Sequence, residues 1–290
     1  MTPYFIVNPI AGGGGALDKF KAAKAYLDSR RAEYRYILTE HEHQSAQLAE
    51  QAYAAGERLI VAVGGDGTVS EVASALYDKP DVTMGVFPFG TGNDLARALE
   101  IPKEPEAAAE LLLNSRGKPM DMGLANGKPF VNVAGIGFDV DVLKNTDRYK
   151  KRFHGMMPYV FGIMHALFHL KRPQASVTFN GKTVAQKVTI CAVANGRFFG
   201  GGMAVAPNAA ATDGLFDVCL VDGVNILQLL WLLPRFIKGK HLSSRHVKYF
   251  RTGSIDIDCP PMELELDGEI GLSTPVSFRM LPGALRMVMP

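Results

Sequence analysis

Three glycine-rich turns each follow a short apolar run in the first half of the chain, and glycine lets a ligand approach the backbone closely. The turns are NPIAGGG after residues 5–7, GGDGTVSE after residues 59–63 and GTGND after residues 86–89. In a parallel sheet all three would lie at the carboxyl ends of strands, where open α/β sheets bind ligands. Exposed N–H groups at helix starts favour phosphate oxygens. One such turn is often structural, but three together predict a phosphate-binding edge.

Carboxylates in and after these turns are candidates for metal binding and proton transfer. Asp66 and Asp94 lie in two of the turns, and Mg²⁺ prefers oxygen ligands. No lysine follows the glycines as in a P-loop, so a metal and the backbone would have to neutralise more of the phosphate charge. Asp267 follows the strand-like segment MELEL, where it is either a proton acceptor in a cleft or an ordinary turn residue. Thr68 and Glu71 have the spacing of a helix capping box.

Three other motifs fit known binding signatures poorly. IAGGGGALDKF lacks the third glycine of a dinucleotide fingerprint, because that position is Leu17. NGKTV is not a P-loop, since the first glycine of the motif would fall at Ser176; Asn180 and Gly181 instead indicate a β-hairpin turn. The segment HEH at residues 41–43 matches no helical ligand spacing, so a metal role is not favoured there.

Length and composition set further bounds. A chain of 290 residues can form one large domain or two ordinary ones. A net charge of +2 gives no global nucleic-acid footprint. Cys191, Cys219 and Cys259 form no CxxC pair, which indicates reduced cytoplasmic thiols rather than disulfides or structural zinc. No signal peptide is indicated, and no apolar run approaches the ~20 residues that span a bilayer. We therefore expect a cytoplasmic protein that is soluble or lies on a membrane surface.

The two halves of the chain have different patterns. Up to about residue 123, the apolar runs YFIV, YRYIL, LIVAV and TMGVFPF alternate with helical segments. This pattern predicts a three-layer α/β domain, residues 1–123, with a mostly parallel sheet. Strand-like segments separated by turn residues predict a mainly antiparallel β-sandwich domain over residues 124–284, with helical segments near 155–171 and 224–238. The closing segment, 285–290, could belong to either domain.

The motifs together resemble a known family. NPIAGGG, VGGDGTVSEV and GVFPFGTGNDLARAL, in this order and spacing, resemble the diacylglycerol kinase catalytic domain, and more narrowly the soluble bacterial lipid kinases related to diacylglycerol and sphingosine kinases. ANGRFFGGGMAVAPNAAATDGLFDV and LELDGE are similar to later segments of that family, so the resemblance covers essentially the whole chain. GGDGT alone also resembles NAD kinases and phosphofructokinases, whereas GTGND and DGE are more specific.

The resemblance implies an ATP-dependent lipid kinase that works with Mg²⁺ in an interdomain cleft, with Asp267 as the general base. It implies a structural Mg²⁺ or Ca²⁺ site formed by the Asp213 carboxylate and the carbonyl groups of Ala210 and Leu215. Ala11 stands where many members have serine, which removes one hydroxyl contact to phosphate but not the backbone cradle. The residues implied to bind ATP are Asn8, Pro9, Ile10, Ala11, Gly12, Thr39, Gly65, Asp66, Gly67, Thr68, Val69, Ser70, Glu71 and Thr91.

Two basic segments with interleaved aromatic residues, 143–155 and 235–251, each adjoin an apolar helical segment. Basic residues near anionic headgroups contribute about 1 kcal/mol each, so these segments could dock the protein at the inner face of the membrane. The alternative is a solvated charged surface, and we interpret the apolar helices as core.

Two other functions stay open: a small-molecule kinase such as an NAD kinase, and a non-catalytic nucleotide-binding regulator. The residues do not distinguish diacylglycerol, a sphingoid base, phosphatidylglycerol and a prenol as acceptor. A homodimer is expected from the family resemblance.

Overall fold

The first half of the chain alternates strands and helices, as its sequence pattern predicts. The computed structural model describes residues 1–150 and 157–290. Four strands pair in parallel in the order β2-β1-β3-β4: β1 (Tyr4–Val7), β2 (Arg35–Leu38), β3 (Leu59–Gly64) and β4 (Thr83–Pro88). The helices of this half are α1 (Ala16–Ser29), α2 (Ser45–Ala54), α3 (Asp66–Leu76), α4 (Asp94–Ala98) and α5 (Pro105–Asn114).

Alternate side chains of the parallel strands enter two different hydrophobic cores. Phe5 and Val63 pack with residues of α1 and α5 on one face of the sheet. Ile6 and Ala62 pack with residues of α2 and α3 on the other face. Successive side chains of a strand point to opposite faces, so a strand that is apolar throughout must be covered on both sides. This arrangement confirms the predicted three-layer α/β architecture.

The second half is an antiparallel β-sandwich, which also confirms the predicted fold class. Phe130, Phe216 and Phe278 lie in its core, with ring centroids 5.7 Å and 6.1 Å from that of Phe130. Its strands are β5 (Lys118–Ala125), β6 (Lys128–Phe130), β7 (Val133–Gly137), β8 (Gln174–Phe179), β9 (Lys182–Ala194), β10 (Phe216–Asp222), β11 (Val247–Thr252), β12 (Ser254–Asp258), β13 (Glu263–Leu266), β14 (Glu269–Ser273) and β15 (Val276–Met287). Its helices are α6 (Phe138–Lys150), α7 (Met157–Phe168) and α8 (Ile226–Ile237).

Strand β15 connects the two halves. Its first part pairs antiparallel with β12 and β5. Its end pairs parallel with β4, through Arg286 opposite Thr83 and Met287 opposite Met84. Val288 then donates its backbone N–H to the Met84 carbonyl at 2.8 Å. The closing residues of the chain therefore lie in the sheet of the first half.

The local predictions for the second half have mixed outcomes. Asn180 and Gly181 form the predicted two-residue hairpin turn, with φ values of +48° and +72° and with Phe179 paired to Lys182. Helices α7 and α8 correspond to the predicted helical segments, although residues 155 and 156 lie outside the described residues. Helix α6 was not predicted, because its sequence FDVDVLKNTDRYK is dominated by charged and polar residues.

The interpretation of α7 and α8 as core helices was wrong for one face of each. Leu229, Leu232 and Phe236 of α8 are buried. Leu227 and Trp231 of the same helix are 77% and 50% exposed. On α7 the exposed apolar residues include Val160, Met164 and Phe168. A helix that is apolar on all sides is normally buried, so the exposed apolar faces of α7 and α8 are unusual for a surface in water. Among the described residues, none of the helices combines the length and hydropathy that a bilayer crossing requires.

Candidate active site

The three glycine-rich turns meet at one edge of the parallel sheet. Strands β1, β3 and β4 are neighbours, so the turns that follow them are brought together. Gly90 donates its N–H to the Gly64 carbonyl at 2.9 Å. A Cβ on Gly90 would lie 2.1 Å from the Gly65 Cα, and one on Gly12 would lie 2.4 Å from the Phe89 carbonyl oxygen. These glycines are therefore needed for one turn to pack on the next, in addition to any contact with a ligand.

The first turn is held by Asn8 and continues in a left-handed backbone. The Asn8 side chain donates to Thr68 Oγ1 at 3.1 Å and accepts the Ile10 N–H at 3.2 Å. Gly12 has a φ of +61°, a conformation that glycine adopts without steric cost. Thr39 is buried and donates its N–H to the Val7 carbonyl at 2.9 Å. The other residues that the resemblance implies for ATP binding are placed along this edge by the same turns: Pro9, Ala11, Gly67, Val69 and Thr91.

The predicted capping box in the second turn was wrong. Helix α3 has Gly65 at its N-cap, with no side-chain capping bond. Thr68 is instead the acceptor for Asn8, and Glu71 accepts the backbone N–H of Ser45 at 3.0 Å, at the start of α2. Glu71 therefore caps a neighbouring helix rather than its own. Its other oxygen lies 3.2 Å from Nδ1 of His43, which is also 3.6 Å from Glu269 of the second half.

Asp66 and Asp94 lie side by side but make different contacts. Asp66 accepts the Asp94 backbone N–H at 2.6 Å through Oδ1, and its Oδ2 is 2.5 Å from where a Cβ on Gly92 would be. Asp94 pairs with Arg97 at 2.7 Å and accepts the Gly201 N–H at 2.7 Å through its other oxygen. Burial raises the pKa of Asp94, and the nearby Asp66 charge adds to that rise. Asp94 therefore joins the GTGND turn to a loop of the second half.

Asp267 reaches the same edge from the β-sandwich. It adopts a left-handed backbone with φ +51°, and its Oδ2 accepts the hydroxyl of Ser70 on α3 at 2.8 Å. Three backbone N–H groups also donate to this carboxylate, at 2.8 to 3.1 Å, from Val131, Asn132 and Val133. Burial raises the pKa of Asp267 above the ordinary aspartate value, while the four hydrogen bonds favour the charged form and oppose that rise.

A cavity of about 280 Å³ opens beside these three aspartates. Asp66, Asp94 and Asp267 line one part of it. The remaining wall is mostly apolar and comes mainly from the second half of the chain, with Phe138, Val142, Ile163, Leu233 and Phe236 among its residues. A carboxylate edge next to an apolar pocket fits a molecule with a polar head and a hydrocarbon tail.

Two further carboxyl groups in this cavity were missed at the level of sequence. Asp139 lies in the first turn of α6, and Glu265 lies in β13; both line the cavity. Glu265 was missed because the alternating sequence ELEL of β13 predicts both glutamates on a solvent-facing side, whereas the structure exposes Glu263 and buries Glu265. For Asp139, the available signal was an acidic residue two positions after the end of the apolar strand VAGIG.

The residues of the predicted structural metal site lie in one loop, but the Asp213 carboxylate has protein partners in place of a metal ion. Asp213 forms an ion pair with Arg251 and accepts the Leu215 N–H at 3.1 Å. Ala210 lines a second cavity near Glu100. Any cation at Asp213 would therefore have to replace an arginine. The metal site stays a prediction.

The structure has two domains: an α/β domain that carries three glycine-rich turns, and a β-sandwich whose Asp267 carboxylate faces those turns. The family model "Diacylglycerol kinase catalytic domain" matches residues 2–125, and "YegS C-terminal NAD kinase beta sandwich-like domain" matches residues 132–289.

Full-length relatives agree with these domain matches. A diacylglycerol kinase of Mycobacterium tuberculosis is 30% identical over 292 residues, which cover 98% of this chain and 94% of that protein. A Pseudomonas aeruginosa protein named "Probable lipid kinase YegS-like" is 32% identical over 279 residues, which cover 94% of this chain and 90% of that protein. A crystal structure from Bacillus anthracis superposes with a TM-score of 0.84 at 27% identity, covering 100% of this chain and 95% of that one. The chain belongs to the diacylglycerol kinase family of lipid kinases.

Proposed function

We propose that this protein transfers the γ-phosphate of ATP to a lipid hydroxyl, with a diacylglycerol-like molecule as acceptor and Asp267 as general base. The observation that carries the proposal is the position of Asp267. It comes from the β-sandwich, contacts Ser70 in the GGDGTVSE turn at 2.8 Å, and lines the apolar cavity. One carboxylate therefore touches both the phosphate-binding edge and the space suited to a lipid.

ATP is assigned to the three turns because exposed N–H groups and the close backbone approach suit its phosphates. Mg²⁺ fits Asp66 better than Asp94. Asp66 lines the cavity and accepts the Asp94 N–H through one oxygen, Oδ1, whereas both Asp94 oxygens already bind Arg97 or Gly201. Such a cation, when bound, would neutralise charge on the phosphates. With no P-loop lysine, this neutralisation matters more.

The proton transfer requires a rearrangement at Asp267. A carboxylate has about four acceptor positions, and in this structure Asp267 receives four hydrogen bonds. Three of the donors are backbone N–H groups fixed by the fold, whereas the Ser70 hydroxyl can rotate. The lipid hydroxyl would therefore take the place of Ser70. Its oxygen then attacks the γ-phosphorus, its proton passes to Asp267, and ADP leaves as the bond from the γ-phosphorus to the β,γ-bridging oxygen breaks.

The first test is transfer of labelled γ-phosphate from ATP into hydroxyl lipids in mixed micelles. We expect the purified chain to label at least one long-chain lipid alcohol, because the cavity wall is apolar next to Asp267. NAD and glycerol serve as water-soluble acceptors in parallel. Labelling of NAD in place of every lipid would contradict the proposal and favour a small-molecule kinase. ATP binding with no acceptor labelled would favour a nucleotide-binding regulator.

We also propose that the protein docks on an anionic membrane through an outer surface of α8, consisting of Leu227, Leu230 and Trp231. Arg235 stacks on Trp231, with its guanidinium carbon 3.3 Å from the ring centroid. Lys238 follows the helix and is exposed. The opposite face of the same helix supplies Leu233 and Phe236 to the cavity. Apolar residues beside cations are typical of helices that lie in the membrane interface.

The basic segments predicted for docking have different environments. In residues 235–251, Arg251 is paired with Asp213, while Lys238 and Lys240 are exposed. In residues 143–155, Lys144 is paired with Glu263 at 2.7 Å, and residues 151–156 lie outside the described residues. Peripheral attachment at the inner face of the membrane therefore rests mainly on α8 and the residues that follow it.

The double variant Leu227→Ser, Trp231→Ala should bind vesicles containing phosphatidylglycerol at least about tenfold more weakly than the wild type, because burial of each side chain in lipid contributes ~1.5–3 kcal/mol. Cosedimentation with the vesicles measures this. Leu113→Ser, which removes a partly exposed leucine from α5, is the matched control and should bind normally. Equal binding by the double variant would contradict docking through α8.

A further inference from the structure

Asp139 and Glu265 form a second pair of carboxyl groups in the cavity that contains Asp267. Gly135 of β7 lies under both of them. A Cβ on Gly135 would be 1.9 Å from Asp139 Oδ2 and 2.8 Å from Glu265 Oε1. The two carboxyl groups therefore occupy the space above one glycine, where any side chain would displace them. Glu265 is also next to the proposed base, since its Oε2 accepts the Gly268 N–H at 2.6 Å.

The facing oxygens of this pair lack protein partners. Glu265 Oε1 and both oxygens of Asp139 are buried without a hydrogen bond of normal geometry. In the described part of the chain, no lysine or arginine forms an ion pair with either residue. The two carboxyl groups therefore offer acceptor oxygens to a donor group of a molecule bound in the cavity.

The protonation state of the two carboxyl groups is consistent with binding a hydrogen-bond donor. Burial raises the pKa of Asp139 to about 7, although the nearby backbone N–H groups of Asp139 and Val140 act to lower it. Burial raises the pKa of Glu265 well above its usual value, and the Asp139 charge adds to that rise. Two adjacent buried carboxyl groups share protons in this way because both cannot be charged cheaply. The pair keeps free acceptor positions while it carries less than its full negative charge.

We propose that Asp139 and Glu265 bind a second hydrogen-bond donor of the acceptor lipid, a hydroxyl or ammonium group a few atoms from the hydroxyl that is phosphorylated. The inference rests on the proposed lipid kinase function and changes its acceptor from a diacylglycerol-like lipid, which has one hydroxyl donor, to a lipid with two donors. Acceptors with two donors, such as a monoacylglycerol or a long-chain amino alcohol, should be better than acceptors with one. A buried group left unpaired by a ligand costs free energy, so a site built for a donor rejects analogues without it.

The test compares three acceptors that differ at one position: 1-acylglycerol, 1-acyl-propane-1,3-diol without the 2-hydroxyl, and the 2-amino analogue of the same chain length. For the wild type, we expect kcat/KM to be at least about tenfold higher with a 2-hydroxyl or a 2-amino group than without either. A higher value for the amine identifies an ammonium site, and a higher value for the glycerol identifies a hydroxyl site. Both results support the inference.

Asp139→Asn and Glu265→Gln should each lower this preference, the ratio of kcat/KM values within one protein, to within about threefold, mainly through KM. A change in rate that is common to all three lipids cancels in this ratio. Asp141→Asn is the matched control, because Asp141 is on the same helix but pairs with Lys171 at 3.6 Å; it should keep the wild-type preference. Thermal melting checks that the variants fold. If the variants do not fold, the wild-type ratio of kcat/KM with and without a second donor decides alone whether the inference holds.

The outcomes separate this inference from the function on which it rests. Efficient transfer with equal kcat/KM for all three lipids would overturn the inference and leave the kinase intact. The same holds for a preference that persists in both Asp139→Asn and Glu265→Gln. No transfer to any lipid, with ATP bound, would overturn the function and the inference together.

Discussion

Asp267→Asn should lower kcat for phosphate transfer to the lipid by about 10²- to 10⁴-fold, the contribution expected of a general base. Asparagine keeps the size of the side chain and can accept the hydrogen bonds of Ser70 and the backbone N–H groups only through one oxygen. ATP affinity should change little, because the nucleotide is assigned to the α/β domain. Labelled-phosphate transfer and equilibrium ATP binding measure the two quantities separately.

Asp258→Asn is the control for this substitution, since Asp258 is an exposed aspartate at the end of β12. It should retain wild-type transfer. If Asp267→Asn transferred phosphate at the wild-type rate, Asp267 would have no place in the mechanism, although the kinase assignment would stand. If the variant instead lost ATP binding, the carboxylate would belong to the nucleotide site.

The pH dependence gives a second test of the same residue. A general base acts only when it is deprotonated, so kcat/KM should fall as the pH decreases through its pKa. Because burial raises the pKa of Asp267 above the ordinary aspartate value, this decrease should begin at a higher pH than for an exposed aspartate. In Asp267→Asn the residual activity should lose that acidic limb. An acidic limb that is identical in both proteins would assign it to another group.

The sequence predicted the parts of the fold that depend on local pattern. Strands β1, β3 and β4 are apolar throughout because helices cover both faces of their sheet, and their position fixes the three turns at one edge. The hairpin at Asn180 was predictable because Asn-Gly adopts positive φ at both turn positions. In each case the residues that determine the structure are close in sequence.

Features that depend on long-range contacts could not be predicted from the sequence. Glu71 caps α2, which begins 26 residues earlier, and its spacing to Thr68 suggested the wrong helix. Asp139 and Glu265 are 126 positions apart and meet only because β7 and β13 pair. The exposed face of α8 could not be predicted, because an apolar sequence such as ILQLLWLLPRFI occurs both in core helices and in helices that lie on a membrane surface. Only the tertiary structure distinguishes these cases.

The Asp66→Asn variant should lower kcat/KM for ATP by about 10²- to 10³-fold and raise the Mg²⁺ concentration needed for half-maximal activity, because it removes charge at the proposed metal position. The asparagine Oδ1 can still accept the Asp94 N–H, now at 2.6 Å, so the turn should keep its structure. A Mg²⁺ titration of the transfer rate measures the shift.

Asp94→Asn provides the comparison, since both residues were predicted as metal ligands. The buried Asp94 carboxylate binds the partly exposed Arg97 and the Gly201 N–H, so loss of its charge weakens a contact between the two halves of the chain. We therefore expect Asp94→Asn to lower the melting temperature more than Asp66→Asn does, and to shift the Mg²⁺ requirement less. The reverse pattern would make Asp94 the ligand and Asp66 the residue that holds the turn. Equal Mg²⁺ requirements in the wild type and both variants would exclude either carboxylate as the metal site, and phosphate neutralisation would then have to come from the backbone N–H groups of the three turns.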